Sequence, residues 1–211
     1  NGFDSQLFKS ISNINQNSTK LTISYVGTIY NWHPIEVFFR SVNEFLKLNS
    51  NVEISFNFYG INNQNAIKEL LFKYPETKNC TSFYARIPNE SLIKKLAESN
   101  ILLLFNYYSF MGTKIYDYLG LKRKILFCFT NDKEALKLKE KYYNIDESSN
   151  VNTELQSVVI KNTQSGILVE NSNHLKDILM NLYIEFRKTK RIKCESNDIE
   201  KYSRELRVKD L

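Results

Sequence analysis

Two hydrophobic rhythms take turns along the chain, one of period two or continuously apolar, the other of helical period. Residues 20–27 (KLTISYVG) are β-branched and aromatic and close on Gly27, which predicts a strand. After it Ile35, Phe38, Phe39, Val42, Phe45 and Leu46 fall on one helical stripe, so the spacing predicts a helix from Pro34 to about Leu48. Residues 52–60 (VEISFNFYG) alternate Ile54, Phe56 and Phe58 with polar neighbours and again end on Gly. A helix over 62–74 follows, then a short strand over 81–85, then a helix capped by Asn89 whose apolar stripe is Leu92, Ile93, Leu96 and Ala97. Ile101 to Phe105 (ILLLF) is apolar throughout, the pattern of a parallel strand buried on both faces. A short helix from Thr113 to Leu119 ending at Gly120, a strand over 124–129, and a charged helix to Tyr143 capped from Asn131 with Glu134 come next. Beyond a polar loop over 145–153, the pattern predicts strands over 155–160 and 167–170. Leu175, Ile178, Leu179, Leu182, Tyr183 and Phe186 mark a long amphipathic helix, and 196–209 a charged one.

Strands alternating with helices predict an α/β fold, a Rossmann-like three-layer domain around a parallel sheet. Right-handed crossovers then place every strand's C-terminal end on one edge, where such folds bind ligands. That selects the loops 27–33, 60–65, 85–90, 106–114 and 130–133.

Composition narrows the classes. The chain has 211 residues, 42% apolar and 25% charged, with only 6 Gly and 3 Pro. This is ordinary globular usage and excludes a collagen-like, disordered or coiled-coil chain. Cys80, Cys128 and Cys194 lie far apart in no metal-ligand spacing and read as reduced thiols of a cytoplasmic protein. The net charge of +6 is spread out, apart from the run 187–193 near the C-terminus. It suits an anionic ligand, and also allows peripheral association with an acidic membrane face; with no reading motif present, nucleic acid is not expected as a partner. The usual origin of such a run is a solvated helix face. The opening residues Asn1-Gly2-Phe3-Asp4 read as the interior of a longer chain.

Two loops carry candidate chemistry. The first, 27–33, puts Gly27 at a strand end, where a ligand can approach the backbone, and Thr28 beside it. It lacks GxGxxG spacing, and an ordinary βα turn is the competing reading. His33 could serve as a base, but a lone His before Pro, with no partner carboxylate visible, reads as a surface or packing residue. In the second, Gly112 and Thr113 open a helix at the end of the most apolar strand. Backbone amides, a hydroxyl and the Lys114 cation would hold a diphosphate there. Asp117 follows one turn later and could accept hydrogen bonds from a ribose diol. Taken alone, Lys114 and Asp117 also describe a surface ion pair beside a helix cap.

The stretch from Gly112 to Leu126 (GTKIYDYLGLKRKIL) resembles a helix and strand of group 1 glycosyltransferases, which have two Rossmann-like halves (the GT-B fold). Asn1-Gly2-Phe3-Asp4 is similar to their interdomain link, Tyr25-Val26-Gly27-Thr28 to their first donor-domain strand, and Phe58-Tyr59-Gly60 to the second. Tyr84 to Pro88, Gly166 to Val169 and Tyr202 to Glu205 also resemble family segments, in order. The resemblance implies one donor-binding domain over 1–211, the C-terminal half of such an enzyme. Residues 1–19 would be a linker remnant and 195–211 a closing helix, with the N-terminal acceptor domain absent. It further implies a nucleoside diphosphate sugar as substrate, transfer with retention, and a saccharide or lipid-linked saccharide as acceptor. The setting would be polysaccharide synthesis, in the cytoplasm or at the inner face of the membrane, and the abundance of Asn, Lys, Ile and Tyr suggests an AT-rich, bacterial source. Thr28 would approach the phosphates, Arg86 and Ile87 the base, Gly112, Thr113 and Lys114 the diphosphate, and Asp117 the ribose.

Two positions depart from the family pattern. Ser109 stands where many relatives carry a sugar-contacting Glu, and the first loop offers Thr28, Asn31 and Trp32 with no cation before Arg40. Asp-x-Asp is absent, so no metal or cofactor is expected, and Lys114 with the helix N-terminus would stabilise the leaving diphosphate. Glycoside hydrolysis would need two facing carboxylates, which the selected loops do not offer. A flavodoxin-like signalling domain would need an acid where Val26-Gly27 stands. The remaining alternative is a non-catalytic nucleotide-binding or protein-interaction module on the same fold.

Overall fold

The computed structural model describes residues 1–107, 111–142 and 155–208. Six strands, β1 (Leu21–Val26), β2 (Ile54–Tyr59), β3 (Thr81–Tyr84), β4 (Ile101–Phe105), β5 (Lys124–Cys128) and β6 (Gly166–Val169), form one sheet in the order β3-β2-β1-β4-β5-β6. Every ladder is parallel. The described helices are α1 (Ser5–Ser10), α2 (Ile35–Leu48), α3 (Gln64–Leu71), α4 (Pro75–Asn79), α5 (Asn89–Ala97), α6 (Lys114–Leu121), α7 (Lys133–Tyr142), α8 (Leu155–Thr163), α9 (Ser172–Thr189) and α10 (Arg204–Arg207).

The apolar rhythm of β4 explains the three layers. Ile101, Leu103 and Phe105 join one core with Phe38, Phe39 and Phe45 of α2 and Leu179, Leu182 and Phe186 of α9. Leu102 and Leu104 join the opposite core with Ile93 and Leu96 of α5, Ile115 and Leu119 of α6, and Ile160 of α8. Each large side chain so buried contributes about 1.5–3 kcal/mol before entropy is counted. The α/β layering and parallel sheet expected from the sequence are therefore present.

The sheet also fixes where a ligand can enter. The chain runs outward from β1 to β2 and β3, then returns to β4 on the other side of β1. Strand order reverses there, and the β1–β4 ladder holds only the pairs Ile23↔Ile101 and Ser24↔Leu102. Past these pairs the C-terminal ends of β1 and β4 diverge and open a crevice at the switch point.

Several sequence expectations are corrected. Residues 155–160 form the start of α8 rather than a strand. Gln156, Val159, Ile160 and Thr163 are buried at helical spacing, and the edge of β5 is taken by β6. The VVI triplet looks like a strand only if the polar Gln156 and Thr163 are read as exposed. The helix expected over 196–209 is a 3-10 turn (Ile199–Tyr202) and α10, separated at Ser203, whose backbone is extended. Phe3 intercepts it: its N–H donates to the Tyr202 carbonyl at 3.1 Å, and its carbonyl accepts from Arg204 N–H at 2.9 Å. Within residues 1–19, Asp4 caps α1 by accepting from the N–H groups of Gln6 and Leu7. Gly120 does not end α6 but lies within it, where a Cβ would stand 2.7 Å from the Phe8 ring. The α7 cap is Asp132, not Asn131, and α5 begins at Asn89 without a side-chain cap. The helix expected over 62–74 ends early, and Pro75 starts α4. The end of the helix expected at Tyr143 and the loop 145–153 lie outside the described residues.

Candidate functional site

Two adjoining clefts occupy the switch point. The larger, about 670 Å³, is lined by Val26, Gly27, Thr28 and Tyr30 from the first loop, Leu92 and Leu96 from α5, Tyr107 after β4, and Gly112, Thr113, Lys114 and Asp117 from α6 and its approach. The smaller, about 360 Å³, shares Val26, Gly27, Thr28 and Leu92 and adds Gly60, Arg86, Ile87 and Asn89. All eight residues singled out from the sequence thus line one or other of these two adjoining clefts.

The local backbone explains the arrangement. Gly27 ends β1 at φ +85°, and a Cβ there would lie 2.9 Å from Cε of Lys114. The missing side chain is what lets the lysine cross the strand end. Gly112 (φ +66°) turns the chain into α6, and the Thr113 side chain makes no capping bond. The first N–H groups of such a helix lack intrahelical partners and carry partial positive charge.

Lys114 is not a free surface cation. Its Nζ donates to the Tyr25 hydroxyl at 2.9 Å, to the Tyr107 hydroxyl, and to the Thr28 carbonyl at 3.4 Å. It also lies 4.5 Å and 4.9 Å from the ring centroids of Tyr25 and Tyr107. Burial pushes its ammonium down to about 7. Burial raises both tyrosines, Tyr107 to about 12, so their hydroxyls stay protonated. Asp117, in the first turn of α6, is pushed up to about 6 by burial, with the Arg204 charge opposing. The surface-pair reading of Lys114 and Asp117 therefore does not apply: both are substantially withdrawn from water, and no ion pair joins them.

Arg86 is exposed on the smaller cleft, beside Gly60, whose missing Cβ would meet Arg86 at 3.5 Å. Lys114 and Arg86 are the cations among the described lining residues. Arg40 lies elsewhere, paired with Glu134 at 2.6 Å. Ser109 lies outside the described residues. Among the described residues, no cluster of three His, Cys, Asp or Glu could hold a metal ion. No described helix is long and apolar enough to cross a membrane. The basic run begins in the last turn of α9, where cations complement the helix dipole.

Sequence reasoning missed Tyr25, Tyr107 and Gln156, while its reading of His33 as a packing residue holds. Tyr25 reads as an ordinary strand residue, and Tyr107 as part of a polar loop. His33 is 2% exposed, and its Nδ1 accepts from Tyr30 N–H at 3.3 Å. Desolvation and the Lys114 charge hold it down at about 3, so it is a neutral packing residue. Gln156 was hidden by the mistaken strand. Its Oε1 accepts from Tyr107 N–H at 3.0 Å, and its Nε2 donates to the Met111 carbonyl at 2.7 Å, so one side chain ties Tyr107 to Met111. Gln156→Leu removes both bonds from a buried position. The expected outcome is a loss of about 1–3 kcal/mol in chemical denaturation.

No protein-family model and no curated protein sequence matches the chain. Solved structures do. A Staphylococcus aureus TarM variant crystallised with fondaparinux, α-GlcNAc-glycerol and UDP superposes with a TM-score of 0.59 at 15% identity, over 92% of this chain and 35% of that one. Sucrose-phosphate synthase from Thermosynechococcus elongatus gives 0.58 at 15% identity, over 87% and 42%. A Listeria monocytogenes protein assigned as a UDP-N-acetylglucosamine 2-epimerase gives 0.51 at 8% identity, over 95% and 44%. The chain spans less than half the length of these proteins. At such identities the likeness establishes the fold, a Rossmann-like domain of the kind found in GT-B glycosyltransferases, and one fold here hosts more than one chemistry.

Proposed function

We propose that this chain is the donor-binding half of a glycosyltransferase that moves a sugar from a nucleoside diphosphate to an acceptor with retention. The observation that carries the reading is the joint opening at the switch point, where Lys114, the α6 N-terminus and Asp117 stand one helical turn apart. A diphosphate lying over Gly27 would meet the Lys114 ammonium and the α6 amides; the ribose hydroxyls would meet Asp117. The base would enter the smaller cleft beside Arg86 and Ile87, with Thr28 at the junction of the two. During transfer, negative charge builds on the leaving diphosphate, and an ammonium and helix N-terminus already in position stabilise it without reorganisation. The acceptor, a saccharide or lipid-linked saccharide, would be held by a second domain, so the chain alone should bind donor and transfer nothing. A bacterial polysaccharide pathway at the cytoplasmic membrane face would fit the positive charge.

Titration calorimetry or saturation-transfer NMR with UDP, GDP and CMP tests this reading. UDP or GDP should bind more tightly than CMP, which lacks the second phosphate. If no nucleotide binds up to millimolar concentration, the reading fails. A protein-interaction module then becomes the better account, a reading favoured by the absence of a first-loop cation.

A further inference from the structure

The first loop carries no Lys or Arg and presents an aromatic ring to the cleft instead. Tyr30 lines the larger cleft and keeps 36% of its surface exposed, while His33, Phe105 and Tyr107 around it are 2%, 0% and 5% exposed. Its ring is held from several sides. Trp32 lies flat against it, with centroids 4.4 Å apart and planes 4° from parallel. His33 and Tyr107 meet it edge-on at 5.3 Å and 5.9 Å. The backbone is pinned as well: His33 N–H donates to the Tyr30 carbonyl at 2.9 Å, and Ile29 N–H donates to Asn62 Oδ1 at 2.7 Å. An exposed aromatic held so firmly is a prepared surface, because little side-chain freedom remains to be lost on contact.

Its placement limits what it can touch. Tyr30 lines the larger cleft and not the smaller one that holds Arg86 and Ile87. Its ring meets that of Tyr107, whose hydroxyl accepts from Lys114 Nζ. A base in the smaller cleft with its diphosphate over Gly27 would leave the group beyond the second phosphate next to this ring. The face of an aromatic ring is electron-rich and attracts the weakly positive C–H bonds on the apolar face of a pyranose.

We infer that Tyr30, backed by Trp32, is the wall that selects the transferred glycosyl unit, and that the unit is a neutral pyranose stacked through its C–H face. An anionic sugar would find no cation on the first loop to pair its carboxylate. The inference rests on the donor-binding reading above.

Calorimetry on the whole chain tests it with three ligands, UDP, UDP-glucose and UDP-glucuronate, or with GDP and GDP-mannose if guanine is the preferred base. Tyr30→Ala should weaken binding of the neutral hexose ester by about fivefold and leave the bare diphosphate within about twofold. Tyr30→Phe, which keeps the ring, should restore hexose-ester affinity. The unsubstituted chain should favour UDP-glucose over UDP-glucuronate. If Tyr30→Ala weakens both classes of ligand equally, or neither, the ring does not read the sugar and the inference fails while donor binding stands. If the unsubstituted chain binds none of these ligands, donor binding itself fails.

Discussion

Lys114→Ala is expected to lower affinity for UDP or GDP by about 10- to 100-fold, the usual loss when one charge-assisted hydrogen bond to an anion is removed from a partly buried site. The position of this lysine makes the effect large. Its chain crosses the strand end that Gly27 leaves open, and its Nζ is fixed by the Tyr25 and Tyr107 hydroxyls and the Thr28 carbonyl. A phosphate oxygen would take the place of the longest of these three bonds, the one to the Thr28 carbonyl at 3.4 Å, while the two hydroxyls keep the ammonium in place and limit the entropy lost. Arg86 lines the other cleft and cannot replace it. Calorimetry with the variant checks the loss, and circular dichroism checks that the fold persists. Affinity unchanged in a folded variant would mean that the diphosphate does not lie over Gly27.

The order of elements was legible from the sequence wherever one rhythm dominated. The ILLLF run and the stripes of α2 and α9 admit one reading each, because fully buried parallel strands and one-sided helices leave unlike patterns. The site loops followed from topology, since a parallel sheet collects its C-terminal strand ends on one edge. Legibility failed where a partner distant in sequence decides the outcome. Phe3 divides the expected C-terminal helix by pairing with Tyr202 and Arg204. Gly120 looks like a helix stop but is a gap that receives Phe8. The hydroxyl cage around Lys114 joins Tyr25 from β1 with Tyr107 after β4, two residues whose sequence neighbourhoods give no sign of a shared cation. Residue identity suggests a lysine for phosphate; only the packing shows that it is substantially withdrawn from water, with consequences for its charge.

Those consequences predict that affinity for UDP-glucose peaks between about pH 6 and 7 and falls on both sides. The nucleotide sugar is the suitable probe, because UDP carries a terminal phosphate that itself titrates near 6. On the acid side Asp117 controls the change. Burial raises its carboxyl to about 6. Below that value it is protonated and accepts poorly from the ribose hydroxyls; above it the ionised form accepts well, so affinity rises with pH through this region. On the alkaline side Lys114 controls the change. Burial lowers its ammonium to about 7. Below that value it is charged and attracts the diphosphate. Above it the free protein must first take up a proton, which costs up to about tenfold in affinity per pH unit until the pKa of the bound lysine is passed. The groups packed on Lys114 do not blur this limb. Tyr25 and Tyr107 are raised and stay neutral, and His33, held at about 3, is neutral throughout. Calorimetry near pH 8 in buffers of different protonation enthalpy should therefore register proton uptake approaching one per ligand bound. Asp117→Asn should flatten the acid limb and leave the alkaline one; Lys114→Ala should do the reverse at much weaker overall affinity. A profile that is flat across this range, with no proton taken up on binding, would show that neither group meets the ligand.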